Sequence, residues 1–375
     1  MSTIAEIVER HRVVICAGSG GVGKTTLAAA LAVHAAGQGR KTMVLTIDPA
    51  RRLADALNLP PIGNTPHRVE VGAGALDAML LDQKSAWDAL IERFAPSEAV
   101  RQRILENRFY RHLSESFAGS HEYMAIEQLA ELHASGRYDL IVVDTPPARH
   151  ALDFLDAPQR IAAFLDRQII RWFVKPYFSA GWSTLRIVNR AAGSVLRRLE
   201  DAVGITALVE ISDFFTAMAG LFERFEARVQ AVDELLHADE TVFVLVTTPE
   251  EHVLADAQAF AGQLAARRIA LGGMIFNRVE RPALANEERF DARGLRAEVA
   301  ALVRQRARAD RLVDNFLRYE TQARGDHARI EACRRQLSSR TAVTLVPNFE
   351  ADVHDIAGLR RIAPYLTGKD ANAGP

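Results

Sequence analysis

Eight residues, Gly18-Ser19-Gly20-Gly21-Val22-Gly23-Lys24-Thr25, carry the densest chemistry in this chain of 375. They fit G-x-x-x-x-G-K-[ST], the pattern of a loop that wraps the phosphates of a nucleoside triphosphate. Glycines let successive backbone N–H groups turn inward around phosphate oxygens without Cβ clashes. Lys24 can reach the β- and γ-phosphates, and the Thr25 hydroxyl can ligate Mg²⁺. Context agrees: the apolar run Arg12–Ala17 precedes the loop, and Thr26 opens an Ala/Leu-rich helical stretch, Leu27 to Ala36. The positive end of that helix adds to the attraction for anions. The loop predicts nucleoside triphosphate binding.

Two carboxylates end apolar runs elsewhere. Thr46-Ile47-Asp48-Pro49 leaves the run Lys41–Asp48, and Leu140-Ile141-Val142-Val143-Asp144 closes the run Tyr138–Asp144. Ligands of open α/β sheets bind at such strand tips. Asp48 could orient a water toward the γ-phosphate, or it could cap a helix with Pro49 in the first position. Asp144 would hold Mg²⁺ through the water shell that this ion keeps. Thr145-Pro146-Pro147-Ala148-Arg149-His150 follows as a stiff turn able to sense the γ-phosphate. His150 has a catalytic reading and an equally good one at a helix start.

These residues need a sheet to hold them. Candidate strands are 12–17, 41–48, 76–82, 138–144, 241–247, 273–277 and 341–347, alternating with helical stretches. Continuous apolar strands of this kind predict an α/β fold, mostly parallel, with helices on both faces. The spacing leaves room for helical additions at about 84–136 and 156–238 to one domain spanning 1–375. Trp172, Phe173 and Phe178 in the second addition fit a satellite core or a client surface. The Arg-rich stretch 296–340 includes Arg304, Arg306, Arg308 and Arg311. It reads as an amphipathic helix with Leu302, Leu312, Val313 and Phe316 inside, and less well as a nucleic-acid stripe. Residues 367–375 look like a disordered tail.

Composition narrows the class. Hydrophobic residues make up 49% and charged residues 25%, with a formal net charge of −1. No global field favours nucleic acid or an anionic membrane. Cys16 and Cys333 can form neither a disulfide framework nor a zinc site unaided. With no apolar run near the ~20 residues of a membrane span, and no signal-like start, a cytoplasmic protein is expected. The segment Leu359–Leu366 is too short and too weakly amphipathic for a membrane helix.

Taken in order, the motifs resemble those of the ArsA/Get-type anion-transporting ATPases, P-loop proteins with a deviant Walker A loop. The family loop G-K-G-G-V-G-K-T matches residues 18–25 except at Ser19, and bacterial ArsA-like members with G-S-G-G-V-G-K-T look closest. Its switch I, D-P-A-H-x-L-x-D, is similar to 48–55, ending at Asp55. Its switch II is similar to 144–155 and takes in Pro147 and His150. Asn277 resembles the adenine-reading Asn, and Pro347 and Phe349 resemble the loop that closes over the base. The resemblance implies a Mg²⁺-dependent ATPase working as a dimer, with itself or with a paralogous ATPase, and coupled to a protein client or membrane partner. It also implies that a lysine at position 19 would reach the other subunit's phosphates; Ser19 has neither charge nor reach. The family's zinc-binding C-x-x-C and arsenite-binding cysteine triplet are absent, so neither zinc nor arsenite is expected.

Overall fold

The computed structural model describes residues 3–368 apart from 49, 73, 117–119, 147, 165–204, 219–220, 285–291 and 304–305. Eight strands form one sheet in the order β3-β4-β2-β5-β1-β6-β7-β8. They are β1 (Val13–Ala17), β2 (Lys41–Thr46), β3 (His67–Glu70), β4 (Ala75–Leu80), β5 (Leu140–Asp144), β6 (Thr241–Thr247), β7 (Leu271–Val279) and β8 (Ala342–Pro347). Every neighbouring pair is parallel except β3–β4. Residues of β1, β5 and β6 are buried along their full length, as strands covered on both faces must be.

Alternation along β1 feeds two cores. Val13, Ile15 and Ala17 face one, while Val14 and Cys16 face the other. The second core is closed by α1 (Ile4–Arg10), α2 (Lys24–Gly37), α3 (Arg52–Ala56) and α14 (Ile356–Leu366). The first core lies under α4 (Gln83–Phe94), α5 (Glu98–Glu106), α6 (Arg108–Ser116), α7 (Ser120–Ala134), α8 (Ala148–Phe164), α9 (Ile205–Met218), α10 (Phe222–His237) and α11 (Glu251–Ala266). Trp87, Tyr123 and Phe225 form its aromatic centre between α4, α7 and α10. Two further helices, α12 (Ala292–Val303) and α13 (Arg306–Arg334), follow β7.

The sheet corrects the sequence in three places. The short strand β3 had no apolar run to announce it, because only Val69 of its four residues is buried. Strand β2 stops at Thr46, which leaves Asp48 in the loop beyond it. The Arg-rich stretch is two helices packed on each other, with Arg296 paired to Asp310 and Asp314. Val313 is buried as expected, but Leu302 is 82% exposed and Leu312 49%. Trp172, Phe173 and Phe178 lie outside the described residues. No helix among those described is long and apolar enough to cross a membrane.

Candidate functional site

The loop from Gly18 to Gly23 connects β1 to α2 at the C-terminal edge of the sheet. Gly18 passes so close to β6 that a Cβ there would lie 2.1 Å from the Val246 carbonyl oxygen. Gly18→Ala must therefore push backbone against backbone, and overpacking of this kind costs about 1–3 kcal/mol or more. A melting temperature lowered by several degrees is expected; an unchanged one would remove the reason given for this glycine. Gly23 has φ +89, and a Cβ there would meet Asn277 Nδ2 at 2.4 Å. The same Asn277 amide donates to the Val22 carbonyl at 2.8 Å. Asn277, near the end of β7, thus clamps the loop from the strand beyond β6.

Lys24 opens α2 and is buried, with Nζ folded back across the loop to the Ser19 carbonyl at 2.8 Å. Burial lowers its pKa, opposed by the nearby charges of Asp144 and Asp48. A buried ammonium beside a glycine loop could draw an anion to it. Thr26 is half-buried in the first turn of the helix, and Gly20 and Gly21 are exposed at the loop's crest.

Asp144 is the electrostatic centre. It is fully buried at the end of β5, and its Oδ2 accepts from Thr25 at 2.7 Å and from Thr46 at 2.9 Å. Thr46 reaches it because Thr46 and Asp144 are register partners on adjacent parallel strands. Burial pushes the carboxyl up to about 6, while the two hydroxyls and Lys24 pull it down. Its other oxygen, Oδ1, is buried without a hydrogen-bond partner. A buried carboxylate oxygen with that spare capacity, beside a threonine hydroxyl, is the hard-oxygen donor set that Mg²⁺ selects. The residues present fit the ion.

Asp48 is half-buried two residues beyond β2. Its Oδ1 accepts from the Ala50 N–H at 2.9 Å, and its Oδ2 pairs with Arg52 at 3.1 Å. The first contact is an Asx turn. Helix α3 begins only at Arg52 with Arg51 at its N-cap, so Asp48 is not the cap that its neighbour Pro49 suggested. Asp55 lies on α3 with its side chain exposed. Pro347 pairs with Val279, two residues past Asn277, which brings the end of β8 beside the end of β7. Phe349 sits edge-on to Tyr365 at 6.0 Å with Arg361 over its ring. It is packed on the second core rather than extended from it. Pro147 lies outside the described residues; His150 falls in the first turn of α8, and its side chain is not described.

Three residues of the site do not stand out in the sequence. Thr46 closes β2 and bonds to Asp144, yet no motif marks it. Asp256, exposed on α11, accepts from the Ser19 hydroxyl at 3.0 Å. His121 on α7 touches the Ile47 carbonyl. Only Thr46 left a signal, a hydroxyl closing the apolar run Met43-Val44-Leu45.

The chain is similar in sequence to known proteins. The model of the anion-transporting ATPase family matches residues 11–295, more than two thirds of the chain. The chain belongs to that family. "Protein Rv2184c" of Mycobacterium tuberculosis is 30% identical over 301 residues, covering 76% of this chain and 62% of that protein. "ATPase GET3" of Malassezia globosa is 26% identical over 270 residues, 72% of this chain and 73% of its own length. "ATPase ASNA1 homolog" of Cryptosporidium parvum is 26% identical over 272 residues, 71% and 64%. The chain thus spans roughly three fifths to three quarters of each of these relatives. The fold is that of a P-loop nucleoside triphosphatase, with a mostly parallel sheet and helices on both faces.

Proposed function

We propose that this member of the anion-transporting ATPase family binds Mg·ATP at the 18–25 loop and hydrolyses it to ADP and phosphate, acting as a cytoplasmic dimeric switch. The observation that supports this reading most is the convergence of Lys24, Thr25, Thr46 and Asp144 on one buried point at the sheet edge. Thr25 and Asp144 would hold Mg²⁺, which when bound neutralises phosphate charge. Lys24 would leave the Ser19 carbonyl for phosphate oxygens, and the loop N–H groups would take the remaining charge. Asp48 would orient the attacking water, since phosphoryl transfer depends chiefly on positioning and charge stabilisation. Asn277, Pro347 and Phe349 would border the base, where strands β7 and β8 end together. Asp55, Pro147 and His150 would belong to the two switch segments, linking nucleotide state to a protein or membrane partner held by the helical layer. Such coupling requires the partner to bind the two states differently.

Ser19 favours a second reading, a catalytically weak subunit that depends on a lysine-bearing paralogue. Its hydroxyl engages Asp256, so position 19 brings no cation to the phosphates and stands beside a carboxylate instead. A cation inserted by a partner can accelerate transfer by ~10³-fold or more. Under this reading the isolated chain turns over slowly and a lysine-bearing paralogue raises the rate. Ser19→Lys should recover only part of it, because Asp256 competes for the new ammonium; Ser19→Lys with Asp256→Ala should recover more. Steady-state hydrolysis of these proteins, with and without Mg²⁺, tests both readings. A fast wild-type homodimer that Ser19→Lys leaves unchanged removes the second and points to Arg51 or Arg149 as the substitute cation. No Mg²⁺-dependent turnover under any of these conditions removes the first.

A further inference from the structure

The peptide plane joining Ile47 to Asp48 is pinned at both edges. Its N–H, from Asp48, donates to the Thr46 hydroxyl oxygen at 3.3 Å, and that hydroxyl donates to Asp144. Its carbonyl, from Ile47, accepts from His121 Nε2 at 2.9 Å. The preceding plane is fixed too, because the Ile47 N–H donates to the Asp144 carbonyl at 3.1 Å. A peptide unit is rigid, so turning this plane rotates the backbone from which the Asp48 side chain departs. Such a turn breaks both contacts of this plane together, the Asp48 N–H to Thr46 and the Ile47 carbonyl to His121.

His121 reaches further than Ile47. Its Nδ1 stands 3.2 Å from Gln83 Oε1 at the start of α4, and Gln83 Nε2 donates to the Ser114 carbonyl at 2.7 Å. Ser114 is fully buried on α6. Both oxygens facing the ring are acceptors, so with a proton on each ring nitrogen this imidazole joins the end of β2 to three helices of the layer, α4, α6 and α7. Thr25, Thr46 and Lys24 bond within the C-terminal end of the sheet and the loop, and Ser19 reaches one helix, α11, through Asp256.

We propose that His121 is a positioning residue that holds the Ile47–Asp48 peptide in register with the helical layer, so that Asp48 and that layer move together. The proposal rests on the reading of Asp48 as the residue that orients water. The site then reports its state mechanically: when Asp48 shifts with the γ-phosphate present or gone, the Ile47 carbonyl carries His121, Gln83 and the N-terminal ends of α4 and α7 with it. A two-position element biased from both ends is what coupling between sites requires.

The test compares wild type, His121→Leu and His121→Gln, the last keeping an N–H donor at similar reach. Readouts are Mg·ATP affinity, kcat and KM, and hydrogen exchange over residues 108–134 with no nucleotide, with Mg·ADP and with a non-hydrolysable ATP analogue. Expected for His121→Leu is affinity within about threefold of wild type, kcat lowered about tenfold with KM little changed, and loss of the nucleotide-dependent exchange difference. His121→Gln should restore most of both. A structural role alone would lower stability without moving kcat against KM. Wild-type kcat and wild-type exchange differences in His121→Leu overturn the proposal. Should that variant not fold, Gln83→Leu is measured by the same two readouts, and wild-type values there overturn the proposal equally. Asp48→Asn, run in parallel, separates the claims. Unchanged turnover there removes the reading beneath the proposal. Lost turnover there with an unaffected His121→Leu removes only the assignment of His121.

Discussion

Lys24→Ala is expected to abolish measurable Mg·ATP binding. The side chain is buried, and its ammonium is the cation that the site holds in the loop, with Nζ spanning it to the Ser19 carbonyl. Alanine leaves the loop's N–H groups but removes charge-assisted hydrogen bonds worth about 1.5–3 kcal/mol each. Removing two such bonds to phosphate corresponds to a fall of at least about a hundredfold in affinity. The fold should survive, because the Lys24 ammonium contributes one hydrogen bond, to the Ser19 carbonyl in the loop, and alanine keeps the helix start. Isothermal titration of wild type and variant with Mg·ATP decides the matter. Binding of the variant within threefold of wild type would sink the assignment of 18–25 as the phosphate loop.

Asp48→Asn should separate binding from chemistry. Asparagine is nearly isosteric and its carbonyl oxygen can still accept from the Ala50 N–H, so the turn is kept. The ion pair to Arg52 is lost, but Arg52 is 63% exposed there, and exposed pairs are worth about 0–1 kcal/mol. ATP affinity should therefore stay within a few-fold of wild type. Turnover should fall by at least ~10²-fold, the scale lost with a general base or water-orienting group. Single-turnover measurements separate this from slowed product release. If turnover is unchanged, Asp48 serves only the Asx turn, and the water is oriented by another group.

Both predictions begin as patterns in the chain, yet they differ in how much the fold adds. The reading of Lys24 as a phosphate-binding cation follows from its neighbours in sequence: glycines, a strand before and a helix after. The position of Asp48 needs the sheet, because Pro49 and Ala50 suggest a helix cap, while β2 stops at Thr46 and α3 starts at Arg52. Leu302 and Leu312 depart from the expected inner face for a related reason. Helical periodicity marks one face of a helix but not whether a neighbour covers it, and α12 has no buried residue at all. Strand β3 is silent in the sequence because an edge strand with one covered face leaves almost no hydrophobic pattern.

The sequence alone determined the glycine loop and the buried strands that frame it. An anion site made of backbone N–H groups is local, closed within eight consecutive residues, and a strand covered on both faces must be apolar throughout. Tertiary structure alone decided what surrounds that loop. Thr25 meets Asp144 across 119 positions, Ser19 meets Asp256 across 237, and Asn277 meets Val22 across 255. Those meetings depend on strand order, which brings β5 and β6 to either side of β1 and sets Thr46 level with Asp144. Strand order is fixed by how the whole apolar surface packs, and no short stretch of residues encodes it.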